Sequence, residues 1–296
     1  MDNYKTTIKE VTDYFNMIKT DRSPLTINIY KRSLNKFFSF LNIKTLEDIK
    51  NITTINCRDF INSLIESNIQ KSSINCYLRS LKPMFNYWIE NDIIETNPLS
   101  KVKLLKTQKK LVSYLSEDEI SVLVETPNTT PTDKIILALF LTTGIRREEL
   151  INIKISDISD QHVIINGKNN KQRKLVLRPE ICKLLESYIP YRLKKYGLSH
   201  PELFISMKGS KFTGDGISKK IKRIMKESGF TSERIKQIHT HSLRHTFVAN
   251  LFESGADIYT AQKALGHELL KTTEIYAHLR NSALDRSILN MKSLNI

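Results

Sequence analysis

Apolar residues recur through the first ninety positions at intervals of three and four, the spacing of one face of an α-helix. Ile8, Val11, Phe15 and Ile18 form one stripe, and Leu34, Phe37, Phe38 and Leu41 form a second. Phe60, Leu64 and Ile65 make a third, after a turn-like stretch at Asn56–Asp59. The clearest is the fourth, where Ile74, Leu78, Leu81, Phe85, Trp88 and Ile89 share a face between 72 and 91. Pro83 falls inside that run and is expected to kink it. Large aromatic side chains at helical spacing read as core rather than as base-stacking platforms, so Phe37, Phe38 and Trp88 are assigned to the interior. Asn97-Pro98 ends the pattern, because a residue before proline is biased away from helix.

Beyond residue 113 the pattern changes. Ser116 with Glu119 has capping-box spacing ahead of Ile120 and Leu123. Pro131-Thr132-Asp133 opens an apolar helix through Thr143, with Gly144 as its stop. Val163–Ile165 and Lys174–Leu177 read as strands of a hairpin, joined through Gly167-Lys168-Asn169-Asn170. Helices are expected again at 180–195, 216–228, 240–254, 257–265 and 271–280. The domains expected are therefore 1–97, all-helical, and 114–296, mixed α+β, with a linker over 98–113. The fold class is mainly α with one small antiparallel sheet.

Composition narrows the function. With 40% hydrophobic and 26% charged residues the chain reads as a soluble globular protein, and its 296 residues suffice for two cores. The longest apolar run, Ile135–Leu141, is too short to span a bilayer, and Met1-Asp2-Asn3-Tyr4-Lys5 lacks the apolar run of a signal peptide. Cys57, Cys76 and Cys182 are too scattered for a disulfide framework or a zinc site. A cytoplasmic protein with neither metal nor cofactor is expected. No glycine-rich phosphate loop supports nucleotide hydrolysis.

Charge is unevenly spread. Residues 1–98 carry 13 basic and 11 acidic side chains, whereas 99–296 carry 33 and 20, which makes most of the net charge of +15. A polyanionic partner follows, since each phosphate neutralised by a cation releases counterions. Lys101, Lys103, Lys106, Lys109 and Lys110 stand in the linker with no acid between 100 and 110, and read as a strap along a phosphate backbone.

The chemistry is concentrated between His241 and Tyr276, which holds His241-Ser242-Leu243-Arg244-His245, then Leu265-Gly266-His267, then Tyr276. Arg146 lies upstream in Gly144-Ile145-Arg146-Arg147-Glu148-Glu149-Leu150. Breaking a phosphodiester by transesterification needs a nucleophile, proton donors and acceptors, and a counter to the charge of the phosphorane. Guanidinium forks match two phosphoryl oxygens, lysine and histidine suit proton transfer, and a phenol makes a reversible phosphoester. Each residue alone has an ordinary structural alternative.

These residues resemble the tyrosine recombinases of the phage-integrase family, in outline its Xer-type members. Arg146 falls on the family's first arginine, Glu149 on a supporting acidic position and Lys168 on the hairpin lysine. His241 and Arg244 match H-x-x-R, His267 matches the later histidine, and Tyr276 matches the nucleophile. Lys171 and Arg173 of the hairpin are further candidate DNA contacts, and His245 is left as structural. The resemblance implies a SAM-like core-binding domain and a catalytic domain, closing as a C-shaped clamp around DNA. It also implies cleavage through a 3′-phosphotyrosyl intermediate and a Holliday junction. The partners implied are double-stranded DNA with a specific core site, a dimer on each site and a tetramer in synapsis, with a second recombinase or accessory protein left open. A bacterial or archaeal cell, or a mobile element, is the implied setting. A type IB topoisomerase and a catalytically inactive DNA-binding regulator are the alternatives.

Overall fold

The computed structural model describes residues 8–107, 112–127, 129–167 and 172–266. The chain divides into two compact units, Met1–Lys109 and Lys110–Ile296.

Among the described residues five helices build the first unit: α1 (Lys9–Ile18), α2 (Pro24–Leu41), α3 (Leu46–Lys50), α4 (Thr54–Glu66) and α5 (Lys71–Glu90). Side-chain caps set the starts of α2, α3 and α4. Ser23 caps α2 by accepting from the Thr26 amide, with Pro24 at the first helical position, where its missing N–H is harmless. The stretch Asn56–Asp59, expected as a turn, is instead the first turns of α4. Thr53 and Asn56 form a reciprocal capping box there, and the polar residues serve the helix end rather than breaking it. Ile65, expected in the stripe of α4, is 45% exposed. Helix α5 continues through Pro83 to Glu90.

The core of this unit is aromatic. Phe37, fully buried on α2, meets Phe60 edge-on at 5.0 Å and Phe85 at 6.0 Å between ring centroids. Trp88 and Phe38 are equally inaccessible. Beyond α5 the chain stays on this core: Leu99 is buried, and Val102 and Leu105 pack against it. The Asn75 amide pairs both ways with the Leu105 backbone, donating to its carbonyl and accepting from its N–H, each at 2.9 Å. The first half of the expected linker thus belongs to the N-terminal body. Lys101, Lys103 and Lys106 are exposed along it, while Lys109 and Lys110 lie outside the described residues.

The second unit contains α6 (Glu117–Val124), α7 (Pro131–Thr143), α8 (Arg147–Ile151), a sheet, α9 (Pro179–Tyr196), α10 (Gly214–Glu227), α11 (Ser232–Gln237), α12 (Thr240–Glu253) and α13 (Ile258–Leu265). Strands β1 (Ile158–Ser159), β2 (His162–Asn166) and β3 (Gln172–Val176) pair antiparallel in that order. In the β2–β3 register Val163 faces Leu175 and Ile165 faces Arg173, so these four residues share one face of the sheet. Val163, Ile165 and Leu175 are buried, which turns that face inward.

Apolar α7 is the centre of this unit, with Ile135, Ile136, Leu139 and Phe140 almost wholly inaccessible. Its start is unusual in burying a carboxylate. Asp133 completes a capping box with Thr130 and, at 0% exposure, ion-pairs with Lys220 at 2.5 Å and Arg223 at 2.7 Å. This joins the start of α7 to α10. The short expected helix at 271–280 falls outside the described residues.

Candidate active site

The first part of the site grows from the end of α7. Gly144 occupies the left-handed region at φ 59° and stops the helix, as glycine does most readily. A side chain at this position would collide with the ring of Phe247 on α12, so close approach requires glycine as well. Two residues later Arg146 is the N-cap of α8. The Glu149 carboxylate reaches back to the Arg146 N–H at 2.9 Å and also accepts from Arg146 Nη1 at 2.8 Å. Arg146 keeps 40% of its side chain exposed, while Glu149 keeps only 7%.

Helix α12 supplies the second part. Its first turn places His241 at the surface and Arg244 inside, 1% exposed. Arg244 donates from Nη1 to the carbonyl of Gly144 and from Nη2 to the carbonyl of Leu265 at 2.8 Å. Both carbonyls stand at helix C-termini, where the aligned peptide dipoles attract a cation. Gly266, again left-handed at φ 61°, ends α13 directly after Leu265. One guanidinium therefore gathers three segments: the box that carries Arg146, the helix that carries His241, and the turn that leads to His267. The Leu115 amide is fastened to the same helix, donating to the buried Thr246 hydroxyl at 2.9 Å.

Arg173, a candidate DNA contact by sequence, is turned inward and engages Glu149. Its side chain is 17% exposed and its Nη1 and Nη2 donate to both oxygens of Glu149, at 2.8 and 2.7 Å. Strand alternation explains this: Leu175 points into the core, so the residue two before it does too. That signal was present in the sequence, as the inward run of Val163, Ile165 and Leu175.

The electrostatics separate the site's groups. Burial by itself would raise the Glu149 pKa, but the Arg173 fork and the Arg146 backbone and side chain outweigh it and bring it down to about 2. Glu149 is thus a fixed anion. Loss of water around His241, then the charges of Arg244 and Arg146, lower its pKa below the usual 6.5, so the ring is neutral at physiological pH. His245 lies edge-on to His241 with centroids 4.6 Å apart, and burial, His241 and Arg244 push it down to about 4. A neutral imidazole beside two guanidiniums is able to accept a proton.

Arg146, Glu149, Arg173, His241 and Arg244 are thus brought into one region of the second unit. Lys168, Lys171, His267 and Tyr276 lie outside the described residues. Among the described residues no cluster of histidine, cysteine and acidic side chains has the makings of a metal site, and no helix is long and apolar enough to cross a membrane. Sequence patterns missed the sockets of Arg244, because backbone carbonyls carry no residue signature.

Comparison with known proteins bears on this arrangement. The family model described as the phage integrase family matches residues 113–283, and that of the phage integrase N-terminal SAM-like domain matches residues 11–91. Tyrosine recombinase XerC of Staphylococcus aureus (strain MSSA476) is 30% identical over 285 residues, covering 94% of both chains. The crystal structure of XerA recombinase aligns over 96% of this chain and 99% of its own, at 27% identity and a TM-score of 0.55. XerH site-specific recombinase bound to palindromic difH substrate shares the fold, with a TM-score of 0.73 at 22% identity over 99% of this chain and 92% of that one. This chain belongs to the phage integrase family, with a SAM-like domain ahead of its integrase domain.

Proposed function

We propose that the second unit is the catalytic domain of a site-specific tyrosine recombinase, cutting and rejoining double-stranded DNA without metal or cofactor. The observation that carries this is the Arg244 guanidinium, which binds the carbonyls of Gly144 and Leu265 and so gathers three motif segments at one point. In this reading Arg146 and Arg244 hold the non-bridging oxygens of the scissile phosphate and stabilise the charge that builds on the phosphorane. Tyr276 attacks phosphorus through its phenol oxygen while the bond to the 5′-oxygen breaks. His241, neutral at physiological pH, takes the phenol proton, and Lys168 gives one to the departing 5′-oxygen. His267 bonds a phosphate oxygen. Attack of a 5′-hydroxyl from a partner duplex on the phosphotyrosine then reverses the chemistry on a new strand, through a Holliday junction.

The first unit is the core-binding domain, and the lysines at 101, 103, 106, 109 and 110, with Lys171, contact the DNA backbone. The SAM-like match over 11–91 and the exposure of Lys101, Lys103 and Lys106 support this. The assembly is a dimer on each site and a tetramer in synapsis, by analogy with lambda integrase, which shares the fold and has been seen as a tetramer bound to a Holliday junction. The setting is the cytoplasm of a bacterium. A plasmid carrying two copies of a site selected from random DNA tests the function. Wild-type protein is expected to resolve it into two circles, and Tyr276→Phe to bind it without resolving it. Relaxation of supercoils without resolution would point to a topoisomerase instead.

A further inference from the structure

Taking Arg146 as a phosphate ligand, as proposed above, we infer that Arg173 is a positioning residue whose fork occupies Glu149 and thereby keeps Arg146 turned towards the DNA. A carboxylate has about four lone-pair directions. At Glu149 all are used: by the Arg146 N–H, by Arg146 Nη1, and by the two Nη groups of Arg173, at distances of 2.7–2.9 Å. With 7% exposure, Glu149 has little water to replace a missing partner.

Removing Arg173 would leave half of a buried charge unsatisfied, and such a group recruits whatever cation is nearest. Arg146 is that cation, since its Nη1 already holds Oε1. A second donor swung into Glu149 would pull the exposed edge of the Arg146 fork away from a phosphate. Arg173 thus limits the grip of Glu149 on Arg146 to one side-chain bond.

Two further observations fit a committed, inward Arg173. Its Nε is buried without a hydrogen-bond partner, so the guanidinium is aimed at Glu149 at the expense of its third donor edge. Its side chain also packs under Gly266, where a Cβ would stand 3.0 Å from Arg173 Cδ. The same side chain therefore touches the carboxylate that holds Arg146 and the glycine before His267.

Two readouts on the full-length protein test this: the rate at which phenylglyoxal modifies Arg146, followed by peptide mass, and covalent adduct formation on a nicked duplex at saturating protein. Arg173→Met is expected to slow Arg146 labelling several-fold and adduct formation by about 100-fold, the scale of a small misplacement of a catalytic group. DNA half-saturation should change little, and the salt slope should fall by no more than about 0.9, the share of the single phosphate contact of Arg146. Glu149→Gln combined with Arg173→Met should restore labelling and much of the rate, because a neutral amide no longer competes for Arg146. Arg173→Lys, the variant least disturbing to folding, should show a smaller drop in both, since a point charge serves only one oxygen. Wild-type labelling in either single variant overturns the inference. So does a lowered salt slope with a normal bound-state rate, which would make Arg173 a phosphate contact. Absence of any adduct from wild-type protein would refute the recombinase reading, while the labelling would still decide the place of Arg173.

Discussion

Among the described residues the buried polar side chains of the N-terminal unit are Ser33, Asn75, Ser80 and Asn97, whereas the C-terminal unit, besides the hydroxyls of Thr126, Thr143, Ser242 and Thr246, buries a second, ionisable set: Asp133, Glu149, Arg192, Arg244 and His245. The first set is neutral and each member has its hydrogen bonds nearby. Ser33 and Ser80 bond carbonyls one turn back, and Asn75 and Asn97 tie the chain that follows α5. The second set is ionisable, and burying ionisable groups is costly unless they are paired or neutral. Paired they are, but in two different ways. Asp133 and Arg192 are enclosed by structural partners: two cations and a helix cap for the former, three loop carbonyls for the latter. Glu149 and Arg244 are as deeply buried, but Glu149 holds the part-exposed Arg146, and Arg244 lies one helical turn from the exposed His241. Burial of charge is common to both kinds, and the exposed neighbour is what separates them.

This contrast can be broken most forcefully at Arg244. Arg244→Lys should reduce adduct formation by roughly 100- to 1,000-fold, the scale of losing a preorganised donor, with DNA affinity and salt slope little changed. A single-turnover assay on a nicked duplex would show it, and near-normal cleavage would leave Arg244 a packing residue.

A smaller effect concerns pH. All seven histidines lie beyond residue 110, and the buried His245 has its folded pKa pushed down to about 4 from 6.5. The unfolded chain then takes up a proton that the folded one refuses. The contribution of His245 to stability is fully present above about pH 6.5 and is lost towards pH 4, at up to about 1.4 kcal/mol per pH unit crossed. Urea titrations at pH 5 and 7.5, with reporters in each unit, should show the C-terminal unit weakening on acidification and the N-terminal unit holding. His245→Asn should flatten that difference. Equal weakening of both units would remove His245 from the explanation.

The mildest prediction lies on the lysines packed along the first unit. Replacing Lys101, Lys103 and Lys106 by Gln should lower the salt slope of DNA binding by roughly 0.9 for each phosphate no longer neutralised. Bound-state cleavage should be unchanged, the reverse of Arg244→Lys. An unchanged slope would take this segment off the DNA.

Much of this was legible in the sequence, for identifiable reasons. The stripes of α1, α2 and α5 and the caps at Ser116 and Pro131 are local signals, and they placed those helices well. The motif around Arg146 and the H-x-x-R were picked out by particular side chains at particular spacings, and the structure brings Arg146, Glu149, His241 and Arg244 into one region of the second unit. Three features were not. Asn56–Asp59 looked turn-like because capping residues and turn residues are the same types, and only the reciprocal bonds with Thr53 distinguish them. The linker looked free because the pairing of Asn75 with Leu105 spans thirty residues of chain. The pairing of Arg173 with Glu149 was not legible because it joins positions 24 residues apart, although strand alternation already turns Arg173 inward.

The identity of the residue that becomes joined to DNA decides whether the second unit is a tyrosine recombinase. A nicked duplex bearing the selected core site would trap the cleaved strand on wild-type protein, and proteolysis followed by mass spectrometry would locate the link. A single 3′-phosphotyrosyl peptide containing Tyr276, absent from Tyr276→Phe and strongly reduced in Arg244→Lys, is the predicted result. An adduct on another residue, or one that forms equally well without the Arg244 guanidinium, would contradict it.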